Sequence, residues 1–337
     1  MAECIRMIVV GVGRGRSHLR SFLALPDLFE VVGLVDLDAE RLQKTLAEHD
    51  LAETLGYTSY DEALARSGCD GVMVATWART HEALIEQALN AGKHLMVEKP
   101  FANRLEPAQR LLELAEARGL RIVVTQQWRY MPGQRTVRRL IAEGTFGELQ
   151  TGHMLTYKAR GSEYPDSPYS QLWQMTVHEV DSLISMMNQP VVEVYGHAYR
   201  PPATTWTRES TATAELTFGS GCRVVLVSTS DARMDTAELR LECEHGALVY
   251  RNTGSFSGEE TIFAARDRLV GWEPLPIDPG PDETHLLDQR VAESFATWMN
   301  GGPEPETSGR NNLEVLGVLN GLIESGETGS PVKLQLH

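Results

Sequence analysis

The residues best placed to do chemistry are Glu98-Lys99-Pro100, at the end of the apolar run His94-Leu95-Met96-Val97. A lysine at the mouth of a nucleotide-binding sheet can bind a hydroxyl, help move its proton and stabilise developing alkoxide charge. It is one of only five lysines in the chain, arginine supplying most of the positive charge. The second candidate is His178, whose ordinary pKa lets an imidazole accept a hydroxyl proton near neutral pH. Around it, Val177, Val180, Ile184 and Met187 fall at helical spacing, and His178, Asp181, Ser182 and Ser185 form a polar stripe on the other side. Taken alone the stripe reads as a solvated face; if the apolar side packs on a sheet domain, it can instead point into a cleft between two domains, where Lys99 and His178 would handle the proton. Asp181, one turn along, is expected to orient His178 or stabilise its charge.

Such residues need a scaffold, and the first 125 residues alternate strand and helix signals. Strand-like runs at Ile5-Val10, Val31-Val35, Gly71-Ala75, His94-Val97 and Ile122-Thr125 enclose helical patterns at about 16–25, 39–49, 80–91 and 106–118. Short apolar runs without in/out alternation, separated by helices, predict a parallel sheet buried on both faces: an α/β, doubly wound (Rossmann) domain over residues 1–125. Gly11-Val12-Gly13-Arg14-Gly15 directly follows the first strand, where glycines let the backbone approach a pyrophosphate met by the N–H groups of the next helix. Arg16 stands where a third glycine or alanine is expected, with Gly15 one residue early. Asp36 ends the second strand, about twenty residues beyond the turn, where a carboxylate would accept hydrogen bonds from an adenosine ribose. Asp38 is the better cap for the helix that follows. A carboxylate at 36 repels a 2′-phosphate, so NAD is favoured over NADP; Arg14 or Arg41 would offset part of that preference and keeps NADP open.

Residues 126–337 read differently. Thr211-Phe218 and Ala237-Cys243 alternate with period two, joined to their neighbours by turns at Phe218-Gly219-Ser220-Gly221 and Glu244-His245-Gly246. That pattern predicts an α+β domain on an open antiparallel sheet, one face packed and the other more polar. Segments 284–299 and 312–325 read as helices, and the loop 160–170, with Gly161, Tyr164, Pro165, Pro168 and Tyr169, as a flap near a site.

Composition narrows the function. A net charge of −15 argues against nucleic acid or an anionic membrane surface as the main partner. No apolar run approaches the roughly 18 residues of a membrane span, and nothing at the start reads as a signal peptide. Cys4, Cys69, Cys222 and Cys243 lack metal-like spacing and sit in or beside apolar segments, as reduced core residues of a cytoplasmic protein would. No metal site is expected.

Ala75-Thr76-Trp77, His81, Ala91-Gly92-Lys93-His94 and Glu98-Lys99-Pro100, in that order, resemble the glucose–fructose oxidoreductase/inositol 2-dehydrogenase (Gfo/Idh/MocA) family. Arg129 with Pro132, Gly144-Thr145-Phe146-Gly147, and His178 with Asp181 extend the resemblance over most of the chain. It implies a nicotinamide-dependent dehydrogenase or reductase of carbohydrate metabolism, transferring hydride to or from a hydroxyl or keto carbon of a sugar, polyol or related small molecule. The implied cofactor contacts are Gly11, Gly13, Asp36, Thr76, His81, Glu98 and Lys99, to which the glycine turn adds Arg14 and Gly15. The resemblance also implies a cis Lys99–Pro100 bond and a homo-dimer or homo-tetramer. The family's Asp-x-Gly-x-His is not intact: Gln174 replaces the carboxylate four residues before His178. That replacement keeps a second reading open, a non-catalytic nucleotide-binding sensor or scaffold, against which the retention of Lys99 and His178 argues. Arg129, just past the last parallel strand, and Tyr157 and Trp173, which could pack on a sugar face, are the substrate candidates.

Overall fold

In the computed structural model, which describes residues 4–160, 169–254, 258–266, 268–280 and 284–334, the apolar segments of the first third form one parallel sheet. They run β1 (Ile5–Val10), α1 (Gly15–Leu23), β2 (Phe29–Val35), α2 (Ala39–Glu48), β3 (Gly56–Tyr57), α3 (Tyr60–Arg66), β4 (Gly71–Val74), α4 (Ala78–Asn90), β5 (His94–Val97), α5 (Leu105–Ala117) and β6 (Ile122–Val124). Met7, Ile8, Val9, Val72, Met73, Leu95 and Met96 are all fully buried, as strands covered on both faces require. The order is β3-β2-β1-β4-β5-β6. It reverses direction at β1 and β4, so the loops leaving those strands part and open a crevice at their carboxyl ends. The two-residue β3 escapes sequence pattern because it is too short to show a period.

Two glycines set that corner. Gly11 has φ +88°, and a Cβ there would lie 2.9 Å from the Ala75 carbonyl oxygen and 2.8 Å from Thr76. A Cβ on Gly15 would meet Val9 at 2.8 Å, so Gly15 lets α1 pack closely on β1. The packing role expected of a third glycine one position later is filled here, while Arg16 lies on the exposed side of α1.

The remaining elements begin with α6 (Pro132–Ala142), β7 (Leu149–Ala159), α7 (Val177–Met187), β8 (Val191–Tyr199), β9 (Thr211–Phe218), β10 (Arg223–Thr229) and β11 (Asp231–Cys243). There follow β12 (Gly246–Asn252), β13 (Glu260–Ala265), β14 (Glu273–Leu275), α8 (Thr284–Met299), α9 (Gly309–Thr328) and β15 (Val332–Lys333). Nine strands make a second sheet in the order β14-β13-β12-β11-β7-β10-β9-β8-β15. It is antiparallel except where β7 and β10 pair parallel. Those two strands are separated in the chain by α7, β8 and β9, long enough for a connection that a hairpin could not make. Alternation is clear in β10, where Val224 and Leu226 are buried and Val225 is exposed.

The chain forms two compact units, Met1–Gln127 with Glu283–Asn312, and Trp128–Asp282 with Leu313–His337. A single boundary at residue 125 does not describe the return of α8 to the first unit. That return has a physical cause: Leu287, Val291, Ala292, Phe295 and Ala296 are buried, and Asp288 accepts a hydrogen bond from Ser17 of α1 at 2.5 Å.

Two further expectations are corrected and a third lies mostly outside the described residues. The helix around His178 has no solvated side, because every residue of α7, polar stripe included, is buried. Of the cysteines, only Cys69 and Cys222 are buried, whereas Cys4, ahead of the first strand, is exposed and Cys243, flanked by Glu242 and Glu244 at the end of β11, is half-buried. The flap expected at 160–170 falls mostly on residues 161–168, outside the described residues.

Candidate active site

The crevice of the first unit is a cavity of about 490 Å³ whose wall includes Gly11, Gly13, Arg14, Asp36, Thr76 and Trp77. Asp36 is 7% exposed, and its carboxylate accepts hydrogen bonds from the backbone N–H groups of Val12 at 3.0 Å and Asp38 at 2.9 Å. Those two donors fix the carboxylate at the end of β2, where it can receive a ribose diol. Asp38 caps α2 by accepting from the Arg41 N–H at 3.0 Å. Arg41 is held by Asp38 at 2.9 Å and reaches Asp36 at 3.5 Å. The open corner at Gly11, the buried carboxylate and the cavity between them fit a dinucleotide. Trp77, 59% exposed at the start of α4, supplies a flat apolar wall, and Tyr60 donates to the Leu84 carbonyl at 3.2 Å behind it.

Arg14 bridges two buried carboxylates, Glu98 at 2.7 Å and Asp288 at 3.1 Å. His18 pairs with the same Glu98 oxygen at 2.9 Å through Nε2, and the Lys99 N–H donates to the other oxygen at 3.2 Å. Burial alone would raise the Glu98 pKa, but the charge of Arg14, the bond from His18 and the Lys99 ammonium hold it well below the usual carboxylate range. Glu98 is therefore an anion that anchors the glycine turn to β5.

His81 is fully buried, with Nδ1 2.8 Å from the Pro100 carbonyl and Nε2 3.1 Å from the Thr76 carbonyl. Burial lowers its pKa, and a neutral imidazole has one N–H, so it donates to one carbonyl at a time. His81 ties the loop after β4 to the loop after β5. Of the expected cofactor residues, Gly11, Gly13, Arg14, Asp36 and Thr76 line the cavity, while Gly15, His81 and Glu98 support its wall from within the fold. The Lys99–Pro100 bond is cis.

In the second unit, His178 stacks on Trp128 with ring centroids 3.8 Å apart and planes 22° from parallel. The Lys158 ammonium lies over the same indole, 5.2 Å from its centroid, donates to the Met175 carbonyl at 2.7 Å and pairs with Glu179. Both members of that pair are buried. Burial pulls the Lys158 pKa down, and Glu179 opposes the shift. Beside it, Arg129 donates twice to one oxygen of Asp181, at 2.9 and 2.7 Å. Arg129 is thus engaged within the fold, by the aspartate one turn along from His178. Trp173 is buried in the short turn Gln171–Trp173 ahead of α7. Tyr157 alternates with Lys158 along β7, so it lies on the sheet face away from α7 and half exposed.

Two family models match the sequence: an oxidoreductase family with an NAD-binding Rossmann fold over residues 5–126, and the GFO/IDH/MocA C-terminal domain over 134–249. The chain belongs to the Gfo/Idh/MocA oxidoreductase family. It is 26% identical over 344 residues to D-apiose dehydrogenase of Paraburkholderia graminis, covering 95% of this chain and 87% of that one. It is 25% identical over 347 residues to inositol 2-dehydrogenase of a Salmonella paratyphi B strain, covering 97% and 96%. Among solved structures, the WlbA dehydrogenase of Bordetella pertussis, in complex with NADH and UDP-GlcNAcA, shares the fold, with a TM-score of 0.82, 24% identity and coverage of 99% and 100%.

As a Gfo/Idh/MocA member the chain is an oxidoreductase whose cofactor is NAD, held by its first unit. Sequence reasoning gave no role to His18, Trp128, Lys158 or Asp288. His18 had a signal, lying three residues after Gly15 on the side of α1 that carries Leu19 and Phe22. Lys158 and Asp288 had none, because a charge in an alternating strand or an amphipathic helix reads as solvated until its buried partner is seen.

Proposed function

We propose that the protein is an NAD-dependent dehydrogenase that oxidises a secondary hydroxyl of a sugar, polyol or related small molecule, or reduces the matching ketone. The observation that carries this reading is the Asp36 carboxylate, buried and held by two backbone N–H groups in the wall of the Gly11 cavity. It favours a ribose diol over a 2′-phosphate, and both nearby arginines, Arg14 and Arg41, are already paired with carboxylates. When bound, NAD supplies the hydride acceptor. The chain's own residues then manage the hydroxyl: Lys99 binds its oxygen and stabilises the negative charge as the C–H bond breaks. His178 takes the proton. Asp181, neutralised in part by Arg129, supports the charge that His178 gains. Among the substrate candidates Arg129 acts through Asp181 and Trp173 is left as a contact for a sugar face, whereas Tyr157 lies on the sheet face away from α7 and is set aside. The names of the relatives, inositol and D-apiose dehydrogenases, support the substrate class. Family membership disfavours the sensor or scaffold reading.

Calorimetric titration with NAD⁺, NADH, NADP⁺ and NADPH, followed by a turnover panel of polyols and aldoses including myo-inositol and D-apiose, tests this. Selective NAD(H) binding with turnover is expected. NADP(H) selectivity would overturn the role of Asp36, and binding by none of the four in folded, nucleotide-free protein would sink the dehydrogenase.

We also propose a cytoplasmic homo-oligomer. Among the described residues no helix is long and apolar enough to cross a membrane. Tyr195 and Val225 both face Glu215 in register, and with Tyr157 and Tyr199 they leave a half-exposed aromatic face on the second sheet. A monomer at micromolar concentration in light scattering would contradict self-association.

A further inference from the structure

An aromatic ring holds His178. Its ring lies flat on the Trp128 indole, 3.8 Å between centroids and 22° from parallel. Stacking restrains the plane of an imidazole through contact across its whole face. The indole is itself held. The Lys158 ammonium lies 5.2 Å from the indole centroid, and a cation over an aromatic face is attracted to it, more so when desolvated. Lys158 cannot swing away cheaply, since it is buried, donates to the Met175 carbonyl at 2.7 Å and pairs with Glu179. Glu179 is the residue after His178 on α7, so the helix that carries the imidazole also anchors the lysine that holds the indole. Trp128, Lys158, Met175 and Glu179 thereby close a loop of contacts around one ring.

We propose that Trp128 is a positioning residue for His178: the indole, held by Lys158, sets the plane of the imidazole for proton transfer. The proposal rests on the reading of His178 as the proton acceptor. It gives a role at this site to a stacked aromatic where the sequence lacks the carboxylate at Gln174.

The test uses full-length protein labelled with ¹⁵N and ¹³C at histidine, the His178 ring signals being those lost in His178→Gln. Trp128→Leu removes the flat face and Trp128→Phe keeps one. With the proposal, Trp128→Leu moves the His178 ring protons downfield, out of the indole ring current, while the other histidine signals stay in place. Trp128→Phe moves them less. With the best substrate of the turnover panel, kcat of Trp128→Leu falls on the order of 10- to 100-fold, as misplacing a reacting group does. KM stays near its wild-type value, and Trp128→Phe recovers most of kcat. Trp128→Met, an unbranched chain without a flat face, takes the place of Trp128→Leu if the latter does not fold. Unmoved His178 signals in Trp128→Leu overturn the proposal, as does an equal shift in Trp128→Phe. So does a loss confined to KM. Wild-type turnover by His178→Gln would instead sink the assignment of His178, whereas wild-type turnover by Trp128→Leu, with His178→Gln inactive, sinks the role of Trp128 alone.

Discussion

The two units each bury a cluster of charges, and they balance them differently. Around the glycine turn, one guanidinium serves two carboxylates: Arg14 lies between Glu98 and Asp288, with its own side chain 37% exposed. Around α7 the described ion pairs are buried on both sides, Lys158 with Glu179 and Arg129 with Asp181. A cluster that keeps one member in contact with water needs no strict pairing inside the fold, because solvent screens it through that member. A cluster sealed from water must close its charge pair by pair, since an unmatched buried ion costs several kcal/mol. The first arrangement leaves a part-exposed guanidinium in the wall of a cavity that takes an anionic pyrophosphate. The second suits a rigid mount for a side chain that must hold its orientation.

The largest effect expected is on chemistry. Lys99→Ala should lower turnover about 10²–10⁴-fold, the range of a positioned proton-transfer group; a near wild-type rate of NADH formation would remove Lys99 from the mechanism. Next comes the sealed cluster. Lys158→Met should destabilise the second unit by about 3–5 kcal/mol, because it strands Glu179, while Lys158→Met with Glu179→Leu should cost clearly less. Urea unfolding decides this, and equal losses in the two proteins would mean that pairing is not what the cluster contributes.

The solvent-linked cluster should be gentler. Arg14→Met should cost roughly 1–3 kcal/mol, less than a sealed pair because the guanidinium is part-exposed. Its pH dependence follows from Glu98, whose folded pKa is held below the ordinary carboxylate value of 4.5. A depressed carboxylate adds stability that is complete above its unfolded pKa and is lost as pH falls toward the folded value. The penalty of Arg14→Met should therefore be full at pH 7 and shrink below about pH 4.5. A penalty constant from pH 7 to pH 3 in thermal melts would show that Arg14 does not act through Glu98. The exposed pair on the cavity rim gives the baseline: Asp38→Ala, which removes the α2 cap and the partner of Arg41, should cost less than Arg14→Met in the same thermal melts. A larger loss would blur the contrast between exposed and buried charge.

The same contrast explains what could be read from sequence. The parallel sheet, Gly11, Asp36 and the Asp38 cap were legible because each follows a local rule: a period, a turn, a spacing from one strand end. The alternating strands of the second sheet were legible for the same reason, although the parallel pairing of β7 with β10 was not, since register across a long excursion leaves no local trace. The buried charges escaped. Arg129 with Asp181 and Lys158 with Glu179 bring together residues from different elements, and Arg14 meets a partner 274 positions away. The surroundings of His178 escaped too: the polar stripe of α7 resembles a solvated face until Trp128 and Lys158 are seen beside it. Gln174 could be read as a missing acid, yet nothing local shows an indole stacked on the histidine instead.

The return of α8 has a consequence for the order in which the protein is made. Asp288 leaves the ribosome 274 residues after Arg14, which at ordinary elongation rates is on the order of tens of seconds. Once Glu98 is made, the glycine turn holds it but not its second carboxylate, and the side of α1 that packs against α8 stays uncovered. The N-terminal third is thus not a module that can be cut out and moved. A chimera that exchanges the dinucleotide-binding half between relatives needs two crossovers, carrying residues 283–312 along with 1–127.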